Sequence, residues 1–143
     1  MPTDIILDSS VVAKWFFPAE EDSKIAIVIK DLFVSKNISI SAPLLLCYEI
    51  NNLIRTAVKS LRINKDLAKD AYQGFLELDI VYYSSTELMG STLDKAIMFD
   101  ISSYDAAYIA LSEYLNIPFY TADHKLLQKN TGDLVKDLRE FDQ

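Results

Sequence analysis

Asp4-Ile5-Ile6-Leu7-Asp8 is the stretch whose reading decides the fold. Three consecutive apolar residues, Ile5 to Leu7, end in a carboxylate, and Ser9-Ser10 then open the helical-looking run Val11 to Phe17. A strand without polar alternation is covered on both faces, as in the centre of a parallel sheet. Asp8 stands where this strand leaves the core, and ligands in open α/β sheets bind beyond the carboxyl ends of strands. Taken alone, Asp8 reads equally as the cap of the following helix, because Asp is a favoured N-cap residue.

The elements on either side follow the same logic. Ser9 or Ser10 can cap the helix over Val11–Phe17, and Pro18 stops it. Glu20, Glu21 and Asp22 supply the acidic first turn of a second helix reaching about Ser35. Asn37-Ile38-Ser39-Ile40-Ser41 alternates as a short strand, and Pro43 at a first helical turn opens a long helix to about Ser60. Asn64 caps another to about Leu78, followed by a strand over Asp79–Tyr83. Thr86 caps a helix to about Phe99, and Ser102 or Ser103 caps one to about Leu115. Pro118-Phe119-Tyr120-Thr121 is a fourth strand whose exit carries Asp123. A short helix from Asp123 to Lys129 and a strand around Leu134-Val135 complete the chain. Strands alternating with helices predict a three-layer α/β/α sandwich with a small, mainly parallel sheet, in a single domain over residues 1–143.

Composition narrows the classes. Half of the 143 residues are hydrophobic, with three Gly and four Pro, which predicts a compact globule with few long loops. The lone Cys47 forms no intrachain disulfide and, in the apolar run Leu44–Cys47, reads as a core thiol. No signal peptide or membrane-length run is present, so a reducing cytoplasm is the expected location. A net charge of −7 argues against a generic nucleic-acid coat or membrane-surface binder, but not against a nucleic-acid enzyme. Between Ile50 and Asp70 the balance reverses: Arg55, Lys59, Arg62, Lys65 and Lys69 stand against Asp66 and Asp70. Of these, Arg55, Lys59, Arg62 and Lys69 read either as a solvated helix face or as a track for RNA phosphates.

Three more carboxylates join Asp8. Glu49 lies on or beside the apolar stripe of its helix, among Leu45, Leu46, Ile50 and Leu53, where an unpaired acid is expensive. Read alone, it is either an acid snorkelling at the stripe's edge or a functional one. Asp105 sits in the first turn of a helix whose Ala106, Ala107 and Ala110 imply close packing, although the macrodipole also favours an acid there. Asp123 ends Phe119-Tyr120-Thr121-Ala122, repeating the design of the first strand. His124, the only His, has no second His and no Cys near it in sequence and reads as solvent-facing. Four acids at strand exits and helix starts, without a soft ligand set, specify a hard cation such as Mg²⁺ or Mn²⁺. Such an ion activates water and stabilises in-line displacement at phosphorus.

Ile5-Ile6-Leu7-Asp8-Ser9-Ser10, Glu49, Tyr104-Asp105-Ala106-Ala107-Tyr108-Ile109-Ala110-Leu111 and Tyr120-Thr121-Ala122-Asp123 resemble the PIN domain. Nearly the whole chain is similar to the small ribonuclease toxins of the VapC type. That resemblance implies a metal-dependent endoribonuclease acting on structured RNA, leaving 5′-phosphate and 3′-hydroxyl ends. It implies an acidic pocket of Asp8, Glu49, Asp105 and Asp123. Asp8 and Asp105 would bind the first cation, with Asp123 and Glu49 ligating through water or helping with a second. Ser10 would hold a water, and Thr121 would support the pocket. It further implies a cognate antitoxin whose peptide fills a groove, and frequent homodimerisation. Lys14-Trp15-Phe16-Phe17 either lines such a groove or belongs to the core.

Competing classes leave different marks. A haloacid-dehalogenase-type phosphotransferase wants a second Asp two residues after the first, where this chain has Ser10. A receiver domain wants its phosphorylated Asp at the exit of a strand such as the one ending at Tyr83, and no Asp stands at that exit. A non-catalytic PIN-like binding module, or a PIN nuclease of RNA processing without an antitoxin, is separated only by activity and partner.

Overall fold

The computed structural model describes residues 3–18 and 22–141. Its strands are β1 (Thr3–Leu7), β2 (Ile38–Pro43), β3 (Val81–Tyr83), β4 (Phe119–Thr121) and β5 (Val135–Asp137). Between them run α1 (Ser9–Phe16), α2 (Ser23–Val34), α3 (Leu45–Lys59), α4 (Lys65–Leu76), α5 (Met89–Phe99), α6 (Ser103–Leu115) and α7 (His124–Leu127).

Ile5, Ile6 and Leu7 are wholly buried, as their unbroken apolar run requires. Each such side chain contributes roughly 1.5–3 kcal/mol. The five strands lie in the order β3-β2-β1-β4-β5, and every pair is parallel. The chain fills one side of the sheet outward from β1, then returns to lay β4 and β5 on the other. The strand order therefore reverses between β1 and β4, where a crevice opens at the carboxyl ends of both. Helix α6 lies across β1, β2 and β4 and is backed by α5, while α1 covers β1 and β4 and packs on α2 and α3.

Local details depart from the sequence expectations in instructive ways. Asp8, rather than Ser9 or Ser10, caps α1, its Oδ1 accepting the Ser10 N–H at 3.1 Å. Pro43 ends β2 instead of opening α3, because it is in register with Tyr83 and the Leu44 N–H donates to the Tyr83 carbonyl at 2.9 Å. Ser85, not Thr86, caps the stretch before α5, which begins as a 3-10 turn over Thr86–Leu88. Asp22 precedes α2 without a side-chain cap bond, and Glu20 and Glu21 lie outside the described residues. Cys47 is only half-buried.

Trp15 and Phe16 belong to the core, not to an open groove. Trp15 Nε1 donates to the Ala26 carbonyl at 2.9 Å, and Phe16 meets Phe75 edge-on at 6.0 Å. Lys14 is buried beside them.

Candidate active site

The register of β1 against β4 pairs Leu7 with Tyr120, so the next residues out, Asp8 and Thr121, emerge side by side. The buried Thr121 hydroxyl donates to Asp8 Oδ2 at 2.6 Å, and the Ser10 hydroxyl donates to Asp8 Oδ1 at 2.5 Å. With both protons directed at Asp8, the two hydroxyl oxygens stand 3.2 Å apart and turn their lone pairs to backbone donors. Ser10 Oγ accepts the Ala122 N–H at 2.9 Å, and Thr121 Oγ1 accepts the Asp123 N–H at 3.1 Å. The exits of β1 and β4 are thus laced into one unit around a single carboxylate.

The other acids arrive on helices and on the β4 exit. Asp123 caps α7, its Oδ1 accepting the N–H groups of Lys125 at 3.0 Å and Leu126 at 3.2 Å. Asp105 rides the first turn of α6, whose N-terminus is held by the Ser102 hydroxyl accepting the Asp105 N–H at 3.0 Å. Glu49, near the start of α3, accepts a 2.5 Å hydrogen bond from the hydroxyl of Tyr108 on α6. That tyrosine is buried, with its ring stacked on Phe119 at 5.5 Å. The sequence reading passed over Tyr108 as a working residue. The available signal was its position one turn after Asp105, on the same helix face.

Burial and mutual repulsion set the electrostatics. Burial pushes the Asp8 carboxyl from 3.8 up to about 6, with the charges of Glu49 and Asp105 adding and the Ser10 and Thr121 hydroxyls opposing. Glu49 is likewise raised by burial and by Asp105, against the pull of the Tyr108 hydrogen bond. Asp105 is raised by burial and then by the charge of Asp123, with Ser102 opposing. The Tyr108 phenol is pushed far above its ordinary range by burial and by Glu49, so it stays a donor. Removing one hydroxyl should expose the balance. Thr121→Val keeps the shape but strips Asp8 of a donor, and should destabilise the protein by about 1–3 kcal/mol at neutral pH. Urea midpoints of the two proteins check this, and equal midpoints would show that the bond is idle.

The structure therefore brings Asp8, Glu49, Asp105 and Asp123 to one edge, with Ser10 and Thr121 beneath Asp8. His124 is exposed on α7. Among the described residues, no three Asp, Glu, His or Cys side chains close into a formed metal cage. The donor chemistry nonetheless fits a hard divalent cation. Every donor is a carboxylate oxygen, among the described residues no cationic side chain is one of the groups shifting Asp8, Glu49 or Asp105, and each of these carboxyls is raised by a neighbouring acid's charge.

The basic stretch divides. Arg55, Lys59, Lys65 and Lys69 line a groove of about 440 Å³ between α3 and α4, floored by Ile54, Val58 and Ala68. Arg62 goes elsewhere, to a cleft of about 350 Å³ that contains Glu49.

A small parallel sheet with acids gathered at its strand-order reversal defines a PIN-like α/β domain. Ribonuclease VapC1 of Mycobacterium tuberculosis, in two strains, is 34% identical over 102 residues, spanning 71% of this chain and 74% of that protein. The crystal structure of PAE2754 from Pyrobaculum aerophilum superposes with a TM-score of 0.69 at 20% identity, covering 97% of this chain and 93% of that one. VapBC-1 from nontypeable Haemophilus influenzae superposes at 0.66 with 17% identity, covering 96% and 100%. At those identities the two structures speak for the fold. No protein-family model matches the chain. The chain belongs to the VapC family of PIN-domain ribonucleases.

Proposed function

We propose that this chain is a single-domain, divalent-cation-dependent endoribonuclease that hydrolyses phosphodiester bonds in structured RNA. In this reading it is the toxin of a toxin–antitoxin pair, acting in the cytoplasm and restrained by a cognate antitoxin protein. The observation that carries the reading is the gathering at the β1–β4 crevice of Asp8, Glu49 and Asp105, each raised by a neighbouring carboxylate's charge, with Asp123 beside Asp105. Its relationship to Ribonuclease VapC1 supports the choice of RNA as substrate. No described helix is long and apolar enough to cross a membrane. The exposed row Met89, Leu93 and Ile97 on α5, with Met98 beside it, is an apolar patch that supports a homodimer.

Asp8, Asp105 and Asp123 would hold Mg²⁺ or Mn²⁺, with Glu49 assisting. When bound, the cation activates water and stabilises the charge that develops on the phosphodiester. Ser10 and Thr121 keep Asp8 in one orientation through both of its oxygens. Tyr108 fixes Glu49 through Oε1, leaving the other oxygen to accept a hydrogen bond from the attacking water.

Purified protein with Mg²⁺ or Mn²⁺ should cut structured RNA internally, leaving 5′-phosphate and 3′-hydroxyl ends, and a chelator should stop it. Cleavage that continues unchanged in excess EDTA overturns the mechanism.

A further inference from the structure

Helix α3 carries Glu49 into the acid site and then continues away from it. Asn52, Thr56 and Ser60 follow at steps of three and four, so they form one polar stripe running from Glu49. All three are exposed, and they line the same cleft as Glu49, with Ser9 at its near end and Arg62 at its far end. From Glu49 to Ser60 the helix rises about 16 Å. That is several times the axial spacing of about 3.4 Å per nucleotide in a strand.

The far end of the cleft is built to aim a cation. Leu61, almost fully exposed, takes a left-handed conformation at φ 63°. The chain there doubles back, with the Arg62 N–H donating to the Ala57 carbonyl at 2.9 Å. The Arg62 guanidinium rests 4.4 Å above the Phe17 ring, and among the described residues no carboxylate forms an ion pair with it. Stacking on a ring holds a guanidinium in place while leaving its N–H fork free for an anion.

Charge selects the occupant. In a chain of net charge −7, a polyanion entering the acid site needs a lane that does not repel it. Beyond Glu49 the cleft supplies neutral hydrogen-bonding groups and then a single cation. We infer that this cleft seats the few nucleotides of single-stranded RNA on one side of the scissile phosphate, with Asn52, Thr56 and Ser60 contacting the strand and Arg62 clasping a phosphate. The inference rests on the ribonuclease reading and deepens it. Arg62 is thereby assigned to the substrate track, apart from the four cations of the α3–α4 groove.

The test measures anisotropy of labelled single-stranded oligoribonucleotides of increasing length, in Mg²⁺, on an Asp105→Asn background where turnover is not expected. Affinity should climb with length until the strand reaches Arg62. Adding Arg62→Ala should remove about tenfold on the longer strands, the scale of one charge-assisted hydrogen bond. It should also lower the salt slope by about 0.7, the value for one phosphate contact on a single strand. Arg62→Lys should restore the slope but only part of the affinity, because it lacks the planar fork. Thr56→Val, which removes one exposed hydroxyl, gives an independent reading should Arg62→Ala fold poorly, and should also weaken binding. Affinity and slope untouched by Arg62→Ala, or by Thr56→Val in its stead, overturn the cleft. Binding that depends on Arg62, in a protein whose wild type cuts no RNA with any divalent cation, upholds the cleft and overturns the nuclease reading. No binding of a single strand at any length overturns the cleft, whereas the nuclease reading falls only if the wild type cuts no RNA, structured or single-stranded, with any divalent cation.

Discussion

Asp105→Asn should abolish RNA cleavage while the metal-free variant melts at or above the wild-type temperature. The substitution keeps the shape of the side chain, deletes one charge and removes a strong cation ligand. Burial and the neighbouring Asp123 hold the Asp105 carboxyl above its ordinary range, so its charge is unfavourable in the folded protein. Two like charges near 4 Å repel by ~1 kcal/mol in water and by ~4 kcal/mol at an effective dielectric of 20. Against this stands the helix macrodipole, which favours an acid in the first turn of α6 by about 0.3–1 kcal/mol. Repulsion and burial outweigh it. Saturating cation should reverse the order by stabilising the wild type, by about 2.7 kcal/mol at a hundredfold excess over its dissociation constant, and the variant far less. Thermal melts with and without Mg²⁺, beside a cleavage assay, read both halves. A lower metal-free melting temperature with cleavage intact would make Asp105 a piece of scaffolding.

Acidification should stabilise the metal-free protein over the range in which Asp8 takes up its proton. Its carboxyl titrates near 3.8 in the unfolded chain and at about 6 in the folded one. Below the lower value both states are protonated and nothing is lost. As the pH rises through this window the folded state holds the proton that the unfolded state has released, so stability falls. Above about 6 the full cost is present, on the order of 3 kcal/mol at about 1.36 kcal/mol per unit. Glu49 and Asp105 are shifted in the same direction and add to the slope. Asp137, lowered by Arg139, contributes stability that is lost only below its ordinary 3.8, outside this window. Urea midpoints at neutral pH and near pH 4.5 should therefore rank the acidic condition as the more stable. Asp8→Asn should flatten most of that dependence and raise the neutral-pH midpoint. A wild type that weakens steadily on acidification, or a variant with the same slope, would show that Asp8 carries no such cost.

The β1 motif made the central strand readable because burial on both faces leaves no room for polar alternation, and Ile5, Ile6 and Leu7 are indeed wholly buried. The same reasoning recovered the helices, whose caps and apolar stripes are local, with errors of a residue or two where pairing intervened. Pro43 was drawn into β2 by Tyr83, a partner forty residues away in sequence that no local propensity reveals. The four acids were legible one by one as carboxylates in awkward places, and their order along the chain carried the family resemblance.

What the sequence determined by itself was the type of each element and the chemical identity of the acids, since both depend on neighbours a few residues apart. Only the tertiary structure decided which groups meet. The strand order brings Asp8 beside Thr121, the packing of α6 brings Tyr108 to Glu49, and the turn after α3 sends Arg62 away from Lys59. It also placed Trp15 in the core, by giving its indole N–H the Ala26 carbonyl. These encounters depend on sheet register and helix packing, which link residues as far as 113 positions apart, and no periodicity in the chain encodes such a distance.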